Sequence, residues 1–240
     1  LLSEFKVAHR PASDAIESLT TWLEEELLPR SRAPYAIGEK AFALKLRHEE
    51  MVDLPLADLL AIGEANLDRD YRDFVRVAEE ISPNRTPFEV MRAMSDDFPS
   101  GENLLGSAID TLSNVVRFIK ENQIVTLPSD TPPSILETPP YLRSGVFAAM
   151  DTPGPFEQQE CEAYYYVTPP EPEWDLAHRE EHLRLFNRPV MEIITIHEAY
   201  PGHYVQFLNA PRFPTRTRQI LDCNTNVEGW AHYTEQMMIE

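Results

Sequence analysis

The stretch Met191–His203, MEIITIHEAYPGH, decides how the rest of the chain is organised. An apolar approach leads to His197 and Glu198, and His203 follows directly after a Pro-Gly pair. Two neutral imidazoles and a neighbouring carboxylate are the groups that a zinc site with its own general base requires. The stretch therefore predicts a metal-dependent hydrolytic site on an interrupted helix.

The spacing of the two histidines requires that interruption. Each residue of a regular helix turns by ~100°, so that ligands at positions i and i+4 face the same side. His197 and His203 stand at i and i+6, about 120° apart on a regular helix. Because Pro201 lacks an N–H and Gly202 accepts unusual backbone angles, the helix is expected to open between Ala199 and Gly202. A continuous helix between the histidines would contradict the metal-site hypothesis.

A second block, Glu228–Glu235 with the sequence EGWAHYTE, can supply the missing ligand. Catalytic zinc sites usually combine three protein ligands with one open position. Glu228 is the predicted third ligand beside His197 and His203, and one Zn²⁺ ion is the predicted cofactor. Glu198 is predicted to accept a proton from a metal-activated water and to pass it to the leaving group.

Three further residues are candidates for supporting this site. Helical spacing returns Glu235 and His232 towards the side of Glu228. Tyr165 belongs to a cluster of three tyrosines on a predicted strand, and an edge strand beside a metal cleft can pair with an extended peptide. In the alternative interpretation Glu228 caps or pairs within a packed helix, and the other residues only pack.

A rival metal motif lies at His178–His182, HREEH. It fits the inverted H-x-x-E-H pattern, and its two histidines have true i, i+4 spacing. However, the segment is strongly charged and lacks the apolar flanks that would bury a site, and no acidic helix remains at the usual distance to complete it. The sequence therefore favours a solvated amphipathic helix here.

Apolar periodicity predicts a mainly α fold with a small β-hairpin. The predicted helices run from Ser13 or Asp14 to Leu28, over Tyr35–Met51, Leu56–Ile81 and Phe88–Met94, from Ser100 to Glu121, and over Trp174–Phe186. Prolines make 127–140 an extended connector, and Ser144–Met150 and Glu160–Thr168 predict the hairpin strands. The predicted organisation is a helical bundle region in 1–126 followed by the connector, hairpin and metal-site helices in 127–240, as one continuous domain.

Composition argues against two classes of partner. The chain holds 21 Lys and Arg against 40 Asp and Glu, a net charge of −19. This charge repels phosphate backbones and anionic lipid surfaces, and no apolar run approaches the ~18 residues of a transmembrane helix. We expect a soluble protein, cytoplasmic or exported, that binds neither nucleic acid nor membrane; its oligomeric state stays open.

Because the sequence begins without Met and stops at Glu240 inside an amphipathic pattern, we also expect a fragment of a longer chain.

With these residues the chain resembles the bacterial domain of unknown function 885 family. The matching features are HEAYPGH at 197–203 with Gln206 after it, EGW at 228–230 with Tyr233 and Glu235 after it, and a proline-rich extended stretch ahead of the motif. The resemblance implies a zincin-like, mostly helical metallopeptidase fold of the gluzincin type, and adds Gln206 as a candidate for supporting a ligand or binding substrate. It also implies three zinc ligands and a base: His197, His203, Glu228 and Glu198.

Members of that family are longer and continue past the EGW helix, where related peptidases place a Tyr, His or Arg that stabilises the oxyanion. The resemblance therefore predicts a chain that holds the metal, and it leaves open both the residue that stabilises the oxyanion and the activity of this chain alone. Our functional prediction is zinc-dependent hydrolysis of a peptide or other amide bond, with the exact substrate open. The alternative is a non-catalytic helical binding or scaffold fragment with a structural or empty metal site.

Overall fold

A computed structural model describes residues 2–157 and 162–240 of the chain. The backbone is mainly helical and contains one small sheet, which confirms the predicted fold class. The chain divides into two compact units, Leu1–Lys45 and Leu46–Glu240. The predicted organisation into regions 1–126 and 127–240 stays a prediction.

The first unit is dominated by one long helical segment. Helix α1, Leu2–Trp22, continues through a π-helical turn at Leu23–Leu27 into α2, Leu28–Arg30. The predicted start at Ser13 or Asp14 is wrong, because the helix passes through Pro11. A proline removes one backbone hydrogen bond, and the helix continues on both sides of it.

The remaining helices follow the predicted order with shifted ends. They are α3 Glu39–His48, α4 Leu56–Ile81, α5 Pro87–Met94, α6 Leu104–Asn122, α7 Leu176–Arg184, α8 Arg188–Glu198, α9 His203–Asn209, α10 Arg216–Ile220 and α11 Asn224–Met237. The prediction for Leu56–Ile81 is confirmed at both ends. Helix α3 is shorter than predicted, because Gly38 (φ 83°) and Met51 (φ 58°) adopt left-handed backbone on either side of it. Ser100 precedes a 3₁₀ turn, and α6 begins only at Leu104.

The sheet has three strands, one more than predicted. Strands β1 Ser134–Glu137, β2 Ala148–Asp151 and β3 Tyr164–Val167 lie in the order β1-β3-β2. The predicted hairpin is confirmed by the antiparallel pairing of β2 with β3, whereas β1 pairs parallel to β3. The extended connector therefore contains a strand, because its prolines lie on either side of the four residues that pair. Residues 160 and 161 of the predicted second strand lie outside the described residues.

Helix α8 lies at the centre of the second unit. It contacts α6, α11 and β2, and Met191, Thr195 and Ile196 on its inner face are buried. Two apolar clusters share this helix, one with α6 and α9 and the other with α6 and β3. This packing fixes the position of the final turn of α8, which carries the first histidine of the motif. In the part of the chain that the structure describes, no helix has the length and apolar content needed to cross a bilayer.

Candidate metal centre

The helix is interrupted between the two motif histidines, as the spacing argument requires. Helix α8 ends at Glu198, and α9 begins at His203. Between them Gly202 turns the chain back on itself, and its N–H donates to the Ile196 carbonyl at 3.0 Å. A Cβ atom on Gly202 would overlap the carbonyl oxygens of His197 and Ile196. Only glycine fits at this close approach of the backbone.

Trp230 on α11 holds the interrupted segment from the other side. Its indole N–H lies 3.0 Å from the carbonyl oxygen of Pro201 and 3.2 Å from that of Gly202, and donates to both. Trp230 is two residues after Glu228, so the same contact sets the position of the third predicted ligand. Sequence reasoning missed these hydrogen bonds. The Trp of the EGW block is the one hint in the sequence, but its acceptors, the carbonyl oxygens of Pro201 and Gly202, are exposed only because the helix is broken there.

The three predicted ligands converge. Nε2 of His197 lies 3.5 Å and Nε2 of His203 lies 3.7 Å from Oε2 of Glu228. Each of the three residues has one potential ligand atom within 4.8 Å of those of the other two. Two ligands ~2.0 to 2.1 Å from a tetrahedral zinc ion are about 3.3 to 3.4 Å apart. The geometry and the chemistry of this donor set therefore both fit one zinc ion.

Glu235 orients the first histidine. Its Oε1 lies 2.7 Å from Nδ1 of His197, so that a proton on Nδ1 is donated to the carboxylate and Nε2 is left free towards Glu228. This hydrogen bond is also the main reason why the pKa of His197 is raised. A carboxylate that fixes the tautomer of a ligating histidine is a recurring part of zinc sites.

The second histidine is neutral and lies beside an amide. Burial lowers the pKa of His203, and the neighbouring His197 lowers it further, so that at pH 7 the ring is in the form that binds metals. Its Nδ1 and the Oε1 atom of Gln206 are both buried, and no other described residue is their hydrogen-bond partner. A hydrogen bond with the Gln206 side chain partly opposes the lowering of the His203 pKa. The Gln206 amide N–H₂ donates to the Asn226 carbonyl at 3.4 Å. A proton on Nδ1 of His203 complements the Gln206 oxygen and leaves Nε2 free to bind a metal.

Glu198 faces the sheet. Burial is the main cause of its raised pKa, and the nearby charge of Glu228 raises it as well, whereas His197 and a hydrogen bond with the Met150 backbone oppose the shift. Met150 lies on β2. A carboxylate with a raised pKa is a stronger proton acceptor once it is ionised. Glu198 is thus positioned between the histidines and the edge of the sheet.

The two remaining candidate residues have different surroundings. The side chain of His232 is 73% exposed, and its Nδ1 lies 3.5 Å from Oε1 of Glu235. Together with His197, these two residues form a second group whose geometry could hold a metal ion. Tyr165 is fully buried, with its hydroxyl 3.3 Å from that of Thr195. The structure therefore brings His232 to the rim of the site and assigns Tyr165 to the core beneath it.

The two histidines of the rival motif have other partners within the described residues. His182 is 2.8 Å from the Thr168 carbonyl oxygen through Nε2, and His178 stacks on Trp174 with ring centroids 4.0 Å apart. Across residues 2–157 and 162–240 neither histidine belongs to a metal-ligating group. The structure agrees with the interpretation of HREEH as part of an ordinary helix, α7.

Comparisons with known proteins concern the fold and the family. The family described as "Bacterial protein of unknown function (DUF885)" matches residues 1–240. A candidate lipoprotein of unknown function from Shewanella oneidensis has a similar structure, with a TM-score of 0.75 and 24% identity over 98% of this chain and 44% of that one. A candidate lipoprotein from Colwellia psychrerythraea gives a TM-score of 0.66 and 19% identity over 99% and 40%. The chain spans less than half the length of either, and no curated protein matches it.

Replacing Gly202 by alanine is expected to destabilise the protein. The new Cβ would overlap backbone oxygens that cannot rotate away, so we expect a loss of about 1 to 3 kcal/mol in the free energy of unfolding, measured by urea denaturation. Gly229→Ala is the matched control, because its Cβ would meet no atom within 4 Å and alanine favours a helix. Equal stabilities of the two variants would contradict the close approach.

Proposed function

The chain belongs to the bacterial family DUF885, and we propose that it hydrolyses a peptide or other amide bond with the help of one zinc ion. The observation that carries the proposal is the convergence of His197, His203 and Glu228 across a broken helix, at separations that match the ligands of one tetrahedral ion. The Glu228 side chain is 56% exposed. A substrate therefore has access to the fourth position.

Glu198 is the general base in this proposal. Zinc, when bound, would polarise the substrate carbonyl and lower the pKa of a water molecule. The Glu198 carboxylate takes one proton from the attacking water and delivers it to the leaving nitrogen, while a C–O bond forms and the C–N bond breaks. Its raised pKa strengthens it as a proton acceptor. Glu235 and Gln206 hold the tautomers of the two histidines, so that both Nε2 atoms face the ion.

The edge of the sheet supports a peptide as the substrate. In the sheet order β1-β3-β2, β2 lies at an edge. The Phe147 carbonyl accepts the Thr168 N–H at 3.1 Å, so alternation along an antiparallel pair turns the backbone groups of Ala148 and Met150 outward. The Met150 backbone reaches Glu198. Because the Met150 backbone already bonds Glu198, an extended peptide that pairs with this edge through Ala148 would lie beside the base.

Metal analysis is the first test of the proposal. Protein purified without chelator is expected to contain about one equivalent of zinc, and removal of the metal should abolish hydrolysis. His203→Ala should lose the zinc because it removes one of the three ligands, whereas His178→Ala, on the stacked α7 histidine, should keep it. Wild-type protein without zinc, or with zinc and no open position, would instead support a non-catalytic scaffold.

The Glu198→Gln variant separates chemistry from metal binding. An amide cannot accept the proton, so we expect a loss of roughly 10² to 10⁴ in kcat on short peptides, with the zinc content unchanged. Glu181→Gln, in the rival motif, is the matched control and should hydrolyse peptides at the wild-type rate. Substantial activity in the Glu198 variant would remove this residue from the role of base.

Gln206 is expected to act through His203. Gln206→Leu removes the acceptor for Nδ1 of the ring, and we expect zinc affinity to fall roughly 10- to 100-fold in a competition titration. Gln206→Glu keeps an acceptor and should retain most of the affinity. Gln236→Leu, whose amide bonds only Glu240 in the described structure, is the control. Unchanged affinity in Gln206→Leu would show that the orientation of His203 has another cause.

A further inference from the structure

A cavity of about 440 Å³ lies beside the candidate metal centre. Its walls come from the segment after α3, from the segment after β2, from α9, from α10 and the residues after it, and from the start of α11. The volume falls in the range of small-ligand pockets. The lining is mainly apolar and includes Met51, Phe207, Phe213, Ile220, Leu221 and Val227.

The cavity and the candidate metal centre share a wall. Phe207 lines the cavity and stacks on the ring of His203, with centroids 5.5 Å apart and an interplanar angle of 8°. Val227, also in the lining, directly precedes Glu228. One aromatic ring therefore separates the space inside the cavity from the second histidine.

The cavity also continues the line of the edge strand. Thr152 and Pro153, which follow the last residue of β2, are part of its lining. Met150, whose backbone reaches Glu198, is two residues before Thr152. Two residues of extended chain span roughly 7 Å. A peptide paired with β2 could therefore have its scissile bond near Glu198 and a side chain close to the cavity mouth.

We propose that this cavity binds an apolar side chain, aliphatic or aromatic, of the peptide substrate close to the scissile bond. This inference rests on the proposed function, because it identifies the substrate class of that same site. The lining also contains the charged residues Glu49, Arg218 and Asp222, but most of its surface is apolar and favours side chains that leave water on binding. Peptides with a large apolar residue at this position are the expected substrates.

Binding of two small probes tests the cavity without any catalysis. The probes are N-acetylleucine amide and N-acetylserine amide, titrated into the protein while the methyl NMR signals of Val227, Leu221 and Ile220 are followed. We expect the leucine probe to shift these signals and to bind at least tenfold more tightly than the serine probe. Equal affinities, or shifts confined to methyl groups elsewhere, would overturn the proposal.

A charge placed in the cavity provides the matched variant. Leu221 is 67% exposed at the mouth, so Leu221→Arg should fold normally and weaken the leucine probe at least tenfold. Leu185→Arg is the control, because Leu185 is similarly exposed, at 53%, and does not line the cavity. If both variants bind the leucine probe like the wild type, the cavity is not its site.

Hydrolysis is then measured separately on peptides that differ only in one apolar or polar residue. A preference of tenfold or more in kcat/KM for the apolar peptide, lost in Leu221→Arg with zinc content unchanged, supports the proposal. Hydrolysis without this preference overturns the cavity assignment and leaves the hydrolase proposal standing. If the protein binds the leucine probe selectively but hydrolyses no peptide, the cavity binds apolar groups and the proposed function fails.

Discussion

The contact of Gly202 with the end of α8 is the constraint on which the candidate site depends. In a regular helix His197 and His203 would point about 120° apart. The chain instead folds back so tightly that the Gly202 N–H reaches the Ile196 carbonyl and no side chain fits at that position. Trp230 ties the same turn to α11. This one backbone reversal thus brings together candidate ligand atoms from three different helices, α8, α9 and α11.

The charges around this turn explain why a cation suits it. Glu198, Glu228 and Glu235 approach two imidazoles, of which His203 is held neutral by burial. The negative charge exceeds what His197 can balance even with its raised pKa. Burial is the main cause of the raised pKa of Glu198, and the charge of Glu228 raises it further, whereas His197 opposes the shift. A divalent cation between the Nε2 atoms and Glu228 would remove that imbalance.

Local signals in the sequence were sufficient to predict most of the fold and to select the candidate ligands. Leu56–Ile81 shows a strong apolar period and needs no distant partner to be recognised as a helix. The break at Pro201-Gly202 is similarly a property of two adjacent residues. Both features could therefore be predicted from short windows of sequence.

Features that depend on distant partners could not be predicted in this way. Strand β1 forms only because β3 supplies hydrogen bonds from a segment some thirty residues later, and a proline-rich window gives no sign of that pairing. Tyr165 lies on the inner side of β3 because the sheet packs against α8, and the sequence of the strand alone does not show which of its tyrosines faces the core. Likewise, the Gln206 amide meets Asn226 only after α9 and α11 come together.

Helix α9 couples the candidate metal centre to the cavity beside it. His203 and Phe207 are four positions apart, so their rings lie on one face of the helix and stack. A substitution of Phe207 would therefore alter both the packing of the His203 ring and the wall of the cavity. Ile220 lines the same cavity from α10, and Leu221 lines it from the segment that follows. As aliphatic residues, they do not stack on a candidate metal ligand as Phe207 does. Under the proposed function, selectivity for the substrate can therefore change at this mouth while the geometry of the three candidate ligand atoms stays the same.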